Sequence, residues 1–170
     1  MLATTVIEFF LIALFVGLLG LAAMSDVHAY RIPNRISLAI AALYPAFVLV
    51  HGDPVNWLGA LAVAAAVLVF GFILFATNTV GGGDVKLLTA VALWAGPSLV
   101  LEFLLITAFA GGLLALVMTS ELRFSLAMAV ERIGGKGLRD VLIGNVLPYG
   151  VAIAAGGFFV AWNLLRGFQG

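Results

Sequence analysis

Two aspartates stand where a carboxylate is costly. Asp26 closes one long apolar run, and Asp84 opens another directly after the glycines Gly81, Gly82 and Gly83. Carboxylates beside hydrocarbon usually mark a functional site; the plainer alternative is solvation at a membrane interface. If the chain brings the two together, they cannot both ionise easily, and the pair holds one proton. The ionised member can then take a proton from water while the protonated member donates to a carbonyl oxygen. That chemistry cleaves a peptide bond without a covalent intermediate. The glycines suit it, because residues without a Cβ let a substrate backbone approach closely; otherwise they form a flexible connection.

Other chemistry finds less support. The chain has no cysteine, which excludes disulfides, thiol catalysis, cysteine-based zinc sites and iron-sulfur clusters. His28 with Asp26 and Asp84 makes an incomplete ligand set without a helical HExxH pattern, so no metal and no cofactor is expected. Formal net charge is zero, which gives no footing for nucleic acid. The stretch Gly134-Gly135-Lys136-Gly137 is too short for a phosphate loop. Lys86 lies two positions from Asp84, so on a helix the two diverge; it serves as a surface anchor or positions substrate or headgroups. Arg31 and Arg35 read as anchors, and Pro33 and Asn34 as the start of the next helix, with proline preset for the first turn. Tyr149, after Pro148, belongs to an aromatic belt or lines a substrate groove. Glu8 and Glu102 are expected across the membrane from the aspartates.

The elements that must position these residues follow from composition. The 170 residues are 64% hydrophobic and 9% charged, against roughly 25% charged in soluble domains. Mean hydropathy is +1.23. Long apolar runs without strand alternation predict an all-α, polytopic membrane protein, a single domain over residues 1–170. Apolar stretches run from Thr4 to Met24, Ile36 to Val50, Val55 to Ala76, Val85 to Met118 and Gly144 to Leu165. The first has no basic residue before it and is too long for a signal-peptide core, so it reads as a retained span. The fourth would measure about 50 Å as one straight helix, too long for one crossing. It must fold back, and Gly96-Pro97 is the place. That makes about six spans. Arg31, Arg35, Lys86, Arg123, Arg132, Lys136 and Arg139 then share one face, with Arg166 alone opposite. By the positive-inside rule that face is cytoplasmic and both termini are outside. Between Thr119 and Asp140, Leu122, Leu126, Val130 and Ile133 recur at near-helical spacing, which predicts an interfacial helix.

Asp26-Val27-His28-Ala29-Tyr30-Arg31-Ile32-Pro33-Asn34, together with Gly81-Gly82-Gly83-Asp84-Val85-Lys86-Leu87, resembles the type IV prepilin peptidase family of GxGD aspartyl proteases. The tail Pro148-Tyr149-Gly150-Val151-Ala152 is similar to its short Flp/Tad-pilus branch. The resemblance implies a bacterial inner-membrane hydrolase that removes a short basic leader from prepilins or pseudopilins at the cytoplasmic face. It places the catalytic aspartates on Asp26 and Asp84, with Gly81, Gly83, Lys86, Pro33, Asn34 and Tyr149 as substrate-binding or structural support. Longer relatives also methylate the new N-terminus and carry a domain with paired cysteines; these residues contain neither, and methyltransferase activity is not expected. The GxGD proteases of the signal-peptide-peptidase kind use a Tyr-Asp pair, whereas Ser25 precedes Asp26. A rival of another class is a small transporter or channel subunit with Asp84 as a proton or cation relay. It would need polar residues at mid-span, which are lacking.

Overall fold

The computed structural model describes residues 2–52, 54–132 and 147–167, and among these every regular element is a helix. The helices are α1 (Leu2–Ala29), α2 (Asn34–Val50), α3 (Trp57–Ala76), α4 (Gly82–Thr119), α5 (Leu122–Arg132) and α6 (Tyr149–Gly167). By length and apolar character α1, α3, α4 and α6 can each cross a membrane, and α2 is a shorter apolar helix. Leu49, Phe70, Phe72 and Phe109 are among the many large apolar side chains facing outward. A surface of that kind is stable only against lipid. The protein is therefore a multi-pass membrane protein. The tract Gly134 to Gly137 lies outside the described residues.

The 38 residues of α4 are interrupted at Gly96, whose φ of 58° and ψ of −171° are non-helical. Neighbouring contacts show that the chain reverses there. Before the break, α4 runs antiparallel to α3: Gly71 is pressed against Val85, and Gly59 against Pro97. After it, α4 runs antiparallel to α6, with Gly156 against Phe103 and Thr107, and Gly111 against Tyr149. The expected fold-back at Gly96-Pro97 is thus present, and it creates two antiparallel apolar segments from one run. A side chain at Gly96 would meet little, Ala60 Cβ at 3.9 Å being the nearest atom. Its backbone region is almost exclusive to glycine, so Gly96→Ala is expected to cost about 1–3 kcal/mol through strain alone. Thermal unfolding in detergent checks this, as a lowered midpoint.

Helix α4 is the hub, packing on α2, α3 and α6, while α1 closes the bundle against α2 and α6. Small residues permit the close approaches that packing in lipid requires: Gly157 of α6 leaves only enough room for Leu19 of α1. Trp94 fills the centre. Its ring stacks on Phe15 at 4.5 Å and meets Tyr44 edge-on at 5.8 Å. Its indole N–H donates to the Ile40 carbonyl at 2.9 Å.

Two boundaries differ from expectation, and a third agrees as far as the residues are described. Gly82 and Gly83 are helical and form the first turn of α4, so the polar break ends at Gly81. Pro33 is the cap before α2, with ψ of 133°, and Asn34 begins the helix. The extended ψ of Pro33 keeps it outside the helix, and its carbonyl accepts from the Ile36 N–H of the first turn at 2.9 Å. Lastly, the interfacial segment is helical from Leu122 to Arg132; its expected continuation through Ile133 lies outside the described residues.

Candidate active site

Asp26 occupies the last turn of α1, where a carboxylate is disfavoured by the helix dipole. The helix ends on Tyr30, held at φ 51° with its N–H on the Asp26 carbonyl at 2.9 Å. That is the left-handed cap usually made by glycine, here made by a bulky residue at a steric cost. The turn is fastened by the Ser25 hydroxyl, which donates to the Arg31 carbonyl at 2.8 Å. Its result is to send Ile32 inward beneath the helix end, where it is buried.

The Asp26 side chain is only 6% exposed, and what compensates it comes from the far end of the chain. The Gly150 N–H, in the first turn of α6, donates to Asp26 Oδ2 at 2.6 Å. A charged acceptor on an N-terminal amide is among the stronger hydrogen bonds, and the dipole of α6 offsets that of α1. Gly150 is required by space: a Cβ there would stand 2.9 Å from both Asp26 Oδ2 and Ile32 Cδ1.

Asp84 is the third residue of α4 and half-buried. Its carboxylate folds back onto the backbone of Gly81, the residue that caps the helix, which is the acidic half of a capping box. A Cβ on Gly81 would lie 2.8 Å from Asp84 Oδ2. Each aspartate is therefore held at the N-terminus of a different helix, Asp26 on α6 and Asp84 on α4. The two carboxylates interact electrostatically. Ile32 is the wedge between those helix starts, touching the space above Gly150 on one side and above Gly83 on the other, where a Cβ would be 3.3 Å from Ile32 Cβ.

Around this pair, Lys86 turns away from Asp84 and donates to Asn34 Oδ1 at 2.9 Å, joining the starts of α4 and α2. Pro33 holds the turn that sets Asn34 in that place. Tyr149 packs its ring toward Gly111 of α4, and its backbone leads directly into the Gly150 amide. Arg31 and Arg35 are exposed. His28 Nδ1 pairs with its own Met24 carbonyl at 2.8 Å, and among the described residues no three His, Cys, Asp or Glu side chains gather as a metal site needs. Glu8 is about 27 Å away along α1; it is buried, with Oε1 3.4 Å from His51 Nδ1. Glu102 is exposed. The residues not singled out from sequence are Ile32 and Gly150. The signal for Gly150 was Pro148-Tyr149-Gly150, a proline-marked helix start whose free N–H groups need an acceptor.

A multi-pass helical membrane protein with two interacting carboxylates at one end of its bundle is the class that fold and site define. A sequence model of the type IV leader peptidase family matches residues 12–116. The chain belongs to that family, and it is a membrane-embedded peptidase. The matched stretch contains both aspartates, the whole of α2 and α3, and most of α1 and α4. Comparison with curated proteins and with solved structures yields no match.

Proposed function

We propose that the protein is an aspartyl endopeptidase that removes the leader from prepilin-like substrates, with Asp26 and Asp84 as the catalytic pair. The observation that carries this reading is the convergence of the two carboxylates on the starts of α6 and α4. Sharing one proton, the pair leaves one carboxylate to activate water and one carboxylic acid to protonate the carbonyl oxygen of the scissile bond. Water attacks the carbonyl carbon, a tetrahedral intermediate forms, and the amine leaves with the proton first taken from water. Gly81 and Gly150 keep side-chain bulk away from the carboxylates, and Gly83 keeps it away from Ile32. Ile32, Pro33, Asn34 and Lys86 hold the helix starts in register.

The basic residues cluster at the connections on the aspartate side, which supports a cytoplasmic position for the pair by the positive-inside rule. In this orientation six crossings leave both termini outside, in a bacterial cytoplasmic membrane. A substrate whose basic leader stays in the cytoplasm while its apolar helix enters the bilayer would present its junction at that depth. The protein contributes binding and proton transfer, with no cofactor.

The test is cleavage of a co-expressed or purified prepilin by the protein in detergent or lipid, read by mass spectrometry of both fragments. A single cut at the end of the leader is expected. Intact substrate across several prepilins, with ion or proton flux through reconstituted protein that depends on Asp84, would replace the peptidase with the relay.

A further inference from the structure

Helices α2 and α3 both pack on α4 but leave a groove between them, with a volume of about 440 Å³. It opens sideways, onto the flank of the bundle that faces lipid: Leu38 and Leu61 on its rim are 71% and 49% exposed. Its polarity is graded. At the aspartate end stand Asn34 and Lys86. One turn deeper, about 4.5 Å along the helices, come Ser37 and Thr89. Beyond them the walls are Ala41, Ala64 and Leu93.

Two features of the groove lack an explanation within the fold. Lys86 is its one ionised group, and among the described residues that ammonium donates to the neutral Asn34 side chain. Ser37 is 5% exposed and its hydroxyl has no hydrogen-bond partner among the described residues, where a buried polar group is ordinarily satisfied. Thr89, at the same level, is already committed to the Val85 carbonyl at 2.8 Å.

A phospholipid matches this sequence of groups. We infer that the groove is a binding site for one anionic phospholipid, with its phosphate on Lys86 and Asn34, an ester carbonyl accepting from Ser37, and one acyl chain along Ala41, Ala64 and Leu93. Charge selects the headgroup, since a cation without a carboxylate partner favours a ligand of net negative charge. The groove runs along two helical turns, about 10 Å, between apolar walls that an extended acyl chain can follow. A basic leader is repelled by Lys86, which leaves the lipid separate from the peptide that the aspartates would cut. The inference rests on the membrane fold and not on the peptidase chemistry.

The experiment is native mass spectrometry of the full chain released from bilayers of equal phosphatidylglycerol and phosphatidylcholine. Wild type is expected to retain one phosphatidylglycerol in preference to phosphatidylcholine by about fivefold, the discrimination a single lysine provides beside an anionic headgroup. Lys86→Gln should reduce that ratio to near one. Ala41→Phe, which fills the deeper groove and leaves the charge, should lower retention of both lipids. Glycerol phosphate, which supplies the anion without the chain, should not displace the lipid. Equal retention of the two lipids by wild type overturns the inference, and so does selectivity that survives Lys86→Gln. Displacement by glycerol phosphate would make the site one for a free anion. If a prepilin peptide displaces the lipid and Ala41→Phe raises its KM, the groove belongs to the substrate instead.

Discussion

Asp26→Asn and Asp84→Asn, each made alone, are expected to lower leader cleavage by about 10³-fold, within the range for loss of a positioned acid or base. The double variant should be little worse than either single one, because the pair acts as a unit and its parts do not add. Stability should move the other way, or not at all. Asparagine at position 26 can still accept from the Gly150 N–H through its amide oxygen, and it removes a charge from a residue that is 6% exposed. Burying an ionised carboxylate is costly, so the neutral amide should leave the thermal midpoint in detergent unchanged or raised. Single-turnover cleavage and thermal unfolding on the same preparations check both halves. Activity that survives either substitution rejects the acid-base pair. Activity lost together with the folded state says only that the aspartate is structural, which is why the midpoint must be read alongside.

Much of this arrangement was legible in the sequence because single residues carried it. Gly96-Pro97 announced a reversal: proline cannot continue the helix before it, and a run of that length cannot cross once. Glycine there proves to supply a backbone conformation that other residues avoid. Asp26 and Asp84 stood out because an apolar chain rarely carries a carboxylate at a span end without use. Asp84 opens its helix as expected, although two of its glycines belong to that helix and not to a loop before it.

What could not be read is what joins distant parts of the chain. The amide that holds Asp26 lies 124 residues away, on Gly150, and no local pattern connects them. Ile32 was noted only as part of the motif that carries the resemblance; its wedge between Gly83 and Gly150 exists only once α4 and α6 start side by side. Lys86 and Asn34 were each noted for their own helices, but their bond depends on the register between α2 and α4. Pro33 was expected in the first helical turn, and its own extended ψ sets it one position earlier, as the cap. Periodicity reports which face of a helix is apolar. In a chain that is apolar on every side it reports little about which neighbour a face meets.

Gly150→Ala is the second substitution expected to act strongly, and a control on the same helix can show why. The added methyl would stand 2.9 Å from Asp26 Oδ2 and from Ile32 Cδ1, so the carboxylate, the wedge or the start of α6 must shift. A displacement of about 1 Å at a reacting group costs on the order of 10²-fold in rate, and that loss in kcat is expected with KM little changed. Gly157 lies seven residues further along α6, about two turns, and so on nearly the same face. There a methyl meets Leu19 Cδ1 at 2.7 Å, the end of a flexible side chain on the same neighbouring helix, α1. Gly157→Ala therefore loosens the contact between α6 and α1 at a similar level of crowding, but leaves the amide on Asp26 in place. Both variants should lower the thermal midpoint, and Gly150→Ala alone should lower kcat beyond what its midpoint explains. Equal losses of activity in the two would mean that α6 serves only as packing, and that the amide it offers to Asp26 has no part in the chemistry.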